Sequence, residues 1–235
     1  MGIGSSLKDY YDQRANSYEE MYKRQDIVWQ REIAEIKRCL STLFRGRDIL
    51  EIACGTGYWT QFLSQHCRSI TAIDISSSSL AIARSKHYAC SVELKEHDAF
   101  QLAALKQQFT GAMAAFWFSH IARDRVDAFL AELHKVLLPN SPVFFVDSVF
   151  IPGLGGELVQ IQGDSLNTYK KRQLPEEETF LILKNYYSAD NLLRIFRNHN
   201  VPLKLANIFY GKRFWFFSYK GRNVYDRIHS PKVNP

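Results

Sequence analysis

The chain has 235 residues, 46% hydrophobic and 14% aromatic, enough to bury one sizeable core and read as one domain rather than two short ones. A net charge of +6 favours an acidic partner, but without a basic tail or arginine-rich run. No apolar run approaches the ~20 residues of a membrane span, and Cys39, Cys54, Cys67 and Cys90 show neither C-x-x-C nor a histidine at metal spacing, which leaves no zinc site or disulfide framework to expect.

From the N-terminal side, helical patterns run from Leu7 to about Tyr22 and from Ile27 to Leu43. Candidate strands follow at 47–52, 69–74, 91–95, 109–116 and 142–149, separated by helical stretches such as Leu80 to His87 and Arg125 to Leu138. This alternation predicts right-handed crossovers and a parallel sheet. Residues 151–187 break the pattern: IPGLGG opens a glycine-rich connection, and NTYKKRQL and TFLILKNYY alternate as two short strands around a turn at Pro175-Glu176-Glu177. A helix is expected from Ser188 to about Asn198, and then a hairpin of Leu203 to Phe209 and Phe214 to Tyr219 joined by Gly211-Lys212. The dense basic cluster Lys170-Lys171-Arg172, with Lys212-Arg213 and Arg222 further on, reads as a solvated face, an anion seat or an RNA contact. RNA is the weaker reading, because no added RNA-binding module is visible. The opening MGIGSSLKDY has no signal-peptide apolar region and fits the loose myristoylation pattern at Gly2 and Ser6; a cytoplasmic location with reduced thiols is expected.

The chemistry concentrates in Asp48 to Thr60, DILEIACGTGYWT, an apolar strand that breaks into a tight glycine loop and then a helix. Gly55 and Gly57 permit positive φ and close approach of a ligand to bare backbone. SITAIDIS repeats the strand with an acid at its end, Asp74, where a second strand places a carboxylate beside a ribose. The loop lacks the third glycine of a dinucleotide fingerprint, and Glu51 would repel a pyrophosphate while suiting an amino acid's ammonium.

On these residues the chain resembles the class I S-adenosylmethionine-dependent methyltransferases, whose E/D-x-G-x-G-x-G loop matches EIACGTG with Ala53 in place of the first glycine. The resemblance implies an α/β fold: a doubly wound, Rossmann-like seven-stranded sheet, mostly parallel with an antiparallel last strand, N-terminal helices and a lid hairpin inserted after the fifth strand. It divides the single domain into cap helices (1–44), a cofactor-binding core (45–150), a lid insertion (151–187), the end of the core (188–220) and a tail (221–235). S-adenosylmethionine is the implied cofactor, held by Tyr18, Glu51, Ala53, Cys54, Gly55, Gly57, Asp74, Ile75, Asp98, Ala99, Phe100 and Phe116. The implied acceptor is a small molecule, anionic or aromatic, in a pocket formed by Tyr10, Tyr11, Trp29, Trp117, Asp147, Tyr169 and Tyr186. DNA and membrane partners are not expected, and the sequence leaves the oligomeric state open.

Methyl transfer from a sulfonium needs alignment, exclusion of water and, for a hydroxyl nucleophile, removal of a proton. His120, following AFWFS at the end of the fourth strand, is the best base or orienter. The same strand end lacks the [DN]-P-P-[FY] signature of base or amide methylation and the Pro-Cys of cytosine C5 methylation. Ser119-His120 and Asp147-Ser148 stand where metal-dependent catechol-type enzymes carry their acids, so no metal is expected. Methylation at oxygen is favoured over nitrogen or carbon; RNA methylation and a non-catalytic cofactor-binding protein are the alternatives.

Overall fold

The computed structural model describes residues 7–173, 179–199, 201 and 203–221. The expected turn at 175–177, the pattern at Gly2 and Ser6, Arg222 and the tail beyond it lie outside the described residues.

Five strands run parallel: β1 (Asp48–Ile52), β2 (Ser69–Asp74), β3 (Ser91–Glu96), β4 (Gly111–Ala115) and β5 (Pro142–Ser148). With β9 (Ile208–Tyr210) and β10 (Phe214–Lys220) they form a seven-stranded sheet in the order β3-β2-β1-β4-β5-β10-β9, and β10 pairs antiparallel with both neighbours. The predicted doubly wound sheet with an antiparallel last strand is therefore present. Ile52 lies in register with Ile73 on one side and Ala114 on the other. The turns that follow β1, β2 and β4 consequently emerge level at one edge, around the point where the strand order reverses, the place where open α/β sheets bind ligands.

Apolar residues on both faces of the strands explain the two helical layers. Ile49, Met113, Phe144, Phe214 and Phe216 pack with α2 (Ile27–Leu43), α3 (Tyr58–Leu63) and α4 (Ser77–Arg84). Leu50, Ile52, Phe145, Trp215 and Phe217 pack with α5 (Val126–Lys135) and α6 (Ala189–Asn198). The helix α4 starts ahead of the predicted Leu80, because the Ser76 side chain accepts the Ser79 amide at 3.0 Å and caps it. The first predicted helix is divided into α1 (Leu7–Arg14) and a 3-10 stretch, Ala15–Lys23, and Ser17 donates to the Arg14 carbonyl at 3.3 Å across the junction.

The described residues of the insertion hold three strands rather than two. β6 (Glu157–Val159), too short to give a periodic signal, adds to β7 (Tyr169–Gln173) and β8 (Thr179–Leu183) in a separate antiparallel sheet. Tyr10 of α1 packs edge-on against Phe180 with ring centroids 5.5 Å apart, which joins the N-terminal helix to this sheet as one cover over the strand edge.

Candidate active site

A cavity of about 470 Å³ lies at the carboxyl edge of the sheet. The turn after β1 contributes Ala53 and Gly55, the end of β2 Asp74 and Ile75, the turn after β3 Asp98, Ala99 and Phe100, and the turn after β4 Phe116, Trp117 and His120. Tyr11 and Tyr18 close it from the N-terminal segment. Ala53 and Phe116 hold φ of 54° and 57°, left-handed conformations that cost a side chain ~1–2 kcal/mol and that cluster at functional sites. Glycine's usual place at position 53 of this motif thus has a backbone reason. Gly57, with φ of 80°, is packed so closely that a Cβ would meet the Tyr88 hydroxyl at 2.7 Å.

Asp74 fixes the loop: one carboxylate oxygen accepts the Gly55 amide at 2.7 Å and the other the Ser76 amide at 2.8 Å. Burial pushes its pKa up against those hydrogen bonds. Glu51, Cys54 and Gly57 sit behind the wall and do not line the cavity. Glu51 is 1% exposed, and burial raises its pKa to about 8 against the lowering influence of the Thr60 hydroxyl. A carboxyl group held protonated by burial beneath a glycine loop would ionise opposite a cationic ammonium. Ile75, 48% exposed, and Phe100, with the Arg125 guanidinium 3.7 Å from its ring centroid, give the cavity apolar surface for a purine beside the Asp98 carboxylate. Asp98 also accepts the Phe100 amide at 2.8 Å, which shapes its own turn. The residues present therefore fit an adenosine-containing donor with an ammonium group.

The N-terminal segment is tied down over this cavity. Ser76 donates to Asp12 at 2.5 Å, Thr56 donates to Glu19 at 2.6 Å, and Lys86 pairs with Glu19. Tyr22 stacks on Tyr58 at 3.7 Å and accepts the Trp59 indole N–H at 3.1 Å.

A second chamber of about 110 Å³ shares Tyr11, Tyr18, Phe116 and His120 with the first and extends beneath the insertion to Trp29, Arg172, Lys184 and Tyr186. The histidine at the junction is held on both nitrogens. Its Nδ1 donates to the Leu183 carbonyl at 2.7 Å, which leaves Nε2 as the acceptor for the Tyr11 hydroxyl at 2.9 Å. Burial and the neighbouring Lys184 charge bring the His120 pKa down to about 3, while burial raises that of Tyr11 well above its usual value. The imidazole is accordingly neutral and engaged at any physiological pH.

Three expected acceptor contacts are placed elsewhere. Tyr10 is buried in the cover, where its hydroxyl accepts from Arg14 at 2.9 Å, because adjacent positions on a helix face different directions. Asp147 is fully buried and lines neither cavity; it accepts from Lys184 at 2.9 Å and from the Ser119 amide at 2.9 Å. Tyr169 donates to Asp164 at 2.7 Å within the insertion, outside both cavities. Trp117 lines the larger cavity and not the smaller one. Lys184, unforeseen in the sequence, is buried and also donates to Ser119 Oγ at 2.5 Å. Its signal was an isolated lysine in an apolar strand, TFLILK. Among the described residues no group of acids, histidines or cysteines could hold a metal ion, and no helix is long and apolar enough to cross a membrane.

A family model described as a methyltransferase domain matches residues 49–140. A malonyl-[acyl-carrier protein] O-methyltransferase of Priestia megaterium is 28% identical over 203 residues, 84% of this chain and 70% of that protein. The enzyme of the same name from Serratia marcescens is 26% identical over 139 residues, 57% of this chain and 52% of its own length. Among solved structures, the DhpI-SAM-HEP complex superposes with a TM-score of 0.71 at 24% identity, over 92% of this chain and 99% of that one. The N-methyltransferase NodS of Bradyrhizobium japonicum WM9 superposes with a TM-score of 0.61 at 12% identity, over 93% and 100% of the two chains, so the fold alone does not select the methylated atom. The family match falls on the strands and turns that wall the larger cavity, and residues 49–140 are a methyltransferase domain.

Proposed function

We propose that this enzyme methylates an oxygen atom of a small molecule, and that the oxygen reaches the site already deprotonated. The observation that carries this reading is His120: locked by Leu183 and Tyr11 and held neutral down to about pH 3, it is a poor proton acceptor for a hydroxyl. S-adenosylmethionine supplies a methyl group on a sulfonium sulfur, which is activated without help from the protein. Asp74 and Asp98 would hold it, with Glu51 acting from beneath the glycine loop, Ile75 and Phe100 against the adenine and Tyr18 over the loop. What remains for the acceptor side is alignment and dryness. His120 orients the Tyr11 hydroxyl, and Tyr11, Tyr18 and Phe116 form the junction where the two chambers meet. Trp29 and Tyr186 are proposed to enclose the acceptor. The curated relatives named as O-methyltransferases support oxygen, at low identity.

Transfer of a tritiated methyl group to a panel of carboxylic acids, phenols and amines tests the reading. Label in the acids that alkali releases as volatile methanol is the expected result. Alkali-stable label confined to amines would overturn it.

A further inference from the structure

The smaller chamber has an unusual charge balance. Arg14, Arg24, Arg172, Lys184 and Arg213 line it, and among the described residues no aspartate or glutamate does. Two of these cations are already matched, Lys184 with Asp147 at 2.9 Å and Arg213 with Asp26 at 2.6 Å. Arg24 lies over the Trp29 ring, 4.9 Å from its centroid. Arg14 and Arg172 are half-buried and have no ion pair among the described residues; Arg14 donates to the Tyr10 hydroxyl at 2.9 Å and lies over the Tyr18 ring, 5.4 Å from its centroid.

The two guanidiniums come from different parts of the cover, Arg14 from α1 and Arg172 from β7. Strand alternation separates the basic cluster: Lys171 is exposed, while Lys170 and Arg172 turn inward, and Lys170 is consumed by the Leu154 and Gly156 carbonyls at 3.2 and 2.7 Å. Room for Arg172 is made by Gly155, where a Cβ would sit 2.5 Å from its Nη1. Unmatched guanidiniums in a partly dry chamber raise its potential, and a planar or tetrahedral oxyanion is the chemistry that satisfies them.

We propose that Arg14 and Arg172 form an oxyanion seat that selects an acidic acceptor, a carboxylate or a phosphorus oxyacid, for methylation on oxygen. The proposal rests on the oxygen-methylation reading above and names the substrate class. An anionic oxygen at the junction forms the new O–CH3 bond with its own lone pair as the S–CH3 bond breaks and that pair stays on sulfur. The sulfonium becomes a thioether, the acceptor loses one negative charge as it becomes an ester, and no proton moves, in keeping with a histidine that is not available as a base. An amine, cationic in neutral water, is repelled by the same residues, so the seat discriminates in both directions.

The test is calorimetric titration of the full chain, saturated with S-adenosylhomocysteine, with malonate, methylphosphonate, inorganic phosphate and uncharged malonamide at fixed ionic strength. Binding of at least one acid and not of malonamide is expected, weakened about tenfold or more by Arg172→Gln and by Arg14→Gln. Arg172→Gln should leave S-adenosylhomocysteine binding intact, which serves as its folding control. The carboxylate and phosphorus arms separate the two sources of oxyanion. Acids that bind no better than malonamide, or equally well to wild type and both variants, would overturn the seat. Arginine-dependent acid binding with label going only to amines would sustain the seat and overturn the oxygen reading instead.

Discussion

The two halves of the site are built differently. The larger cavity, the proposed donor half, is made of turns that leave β1, β2, β3 and β4 at one level, so residues close in sequence to a strand end are close to one another in space. The smaller chamber, the proposed acceptor half, is assembled by tertiary contact from α1, the segment before α2, the insertion and the approach to β10, with Arg14 and Arg213 at its extremes. A local motif therefore specifies the first, whereas the second depends on how a cover settles onto the sheet.

That comparison orders the expected effects of mutation. The largest belongs to the acceptor half: Lys184→Met leaves Asp147 buried without a counterion, and we expect a loss of about 3–5 kcal/mol, on the order of 10 °C in Tm. Adding Asp147→Asn should restore much of the stability, and thermal denaturation of both variants checks it. Undiminished stability of Lys184→Met alone would show that the pair does not tie the cover to the sheet.

Next is Asp74→Ala in the donor half. Two charge-assisted backbone hydrogen bonds shape the loop around this carboxylate, so affinity for S-adenosylhomocysteine should fall by roughly 100-fold. Calorimetry that finds less than a threefold change would separate the loop's shape from donor binding.

Glu51 offers a pH test. Its folded pKa of about 8 exceeds the ordinary 4.5, so the free enzyme takes up a proton on folding and loses stability as pH rises between those values. Glu51→Gln should then raise the Tm of the free enzyme at pH 8 by several degrees, a gain on the order of a few kcal/mol. If the carboxylate receives the donor's ammonium, the ionised form is the binding form. Affinity for S-adenosylhomocysteine should accordingly rise from pH 6 to 8 in the wild type and lie flat and about tenfold weaker in the variant. Equal pH profiles would remove Glu51 from the donor site.

The smallest effect expected is Ala53→Gly. It relieves the left-handed strain at a φ of 54° and gives back some of that gain in unfolded-chain entropy, for a net ~0.5–1 kcal/mol of stability read as a rise of one to three degrees in Tm.

How much could be read from the chain follows the same division. Asp74, Gly55, Ile75 and Phe100 were legible because strand, turn and acid are contiguous, and all four line the larger cavity. His120 was legible in place and not in role: its carbonyl partner lies 63 residues away on β8, and its pKa is depressed by burial beneath the cover and by the next residue along, Lys184. Tyr10 and Tyr11 looked equivalent as a pair of aromatics, yet their helical positions send one into the cover's core and the other into the cavity. The cluster Lys170-Lys171-Arg172 read as one basic patch, but a strand presents alternate residues to opposite sides, and the patch resolves into a structural lysine, an exposed one and a guanidinium facing the acceptor chamber. The insertion's third strand was missed because three residues carry no period.

The measurement that bears most directly on the acceptor half is the pH dependence of single-turnover methyl transfer, at saturating S-adenosylmethionine, to whichever acid takes the base-labile label. A rate that is flat from pH 6 to 9, with a loss of less than about tenfold in His120→Ala, is the result expected of a site that aligns an oxyanion and moves no proton. A rate that rises through an ionisation near neutrality and falls ~100-fold or more in His120→Ala would contradict it and make the histidine a base.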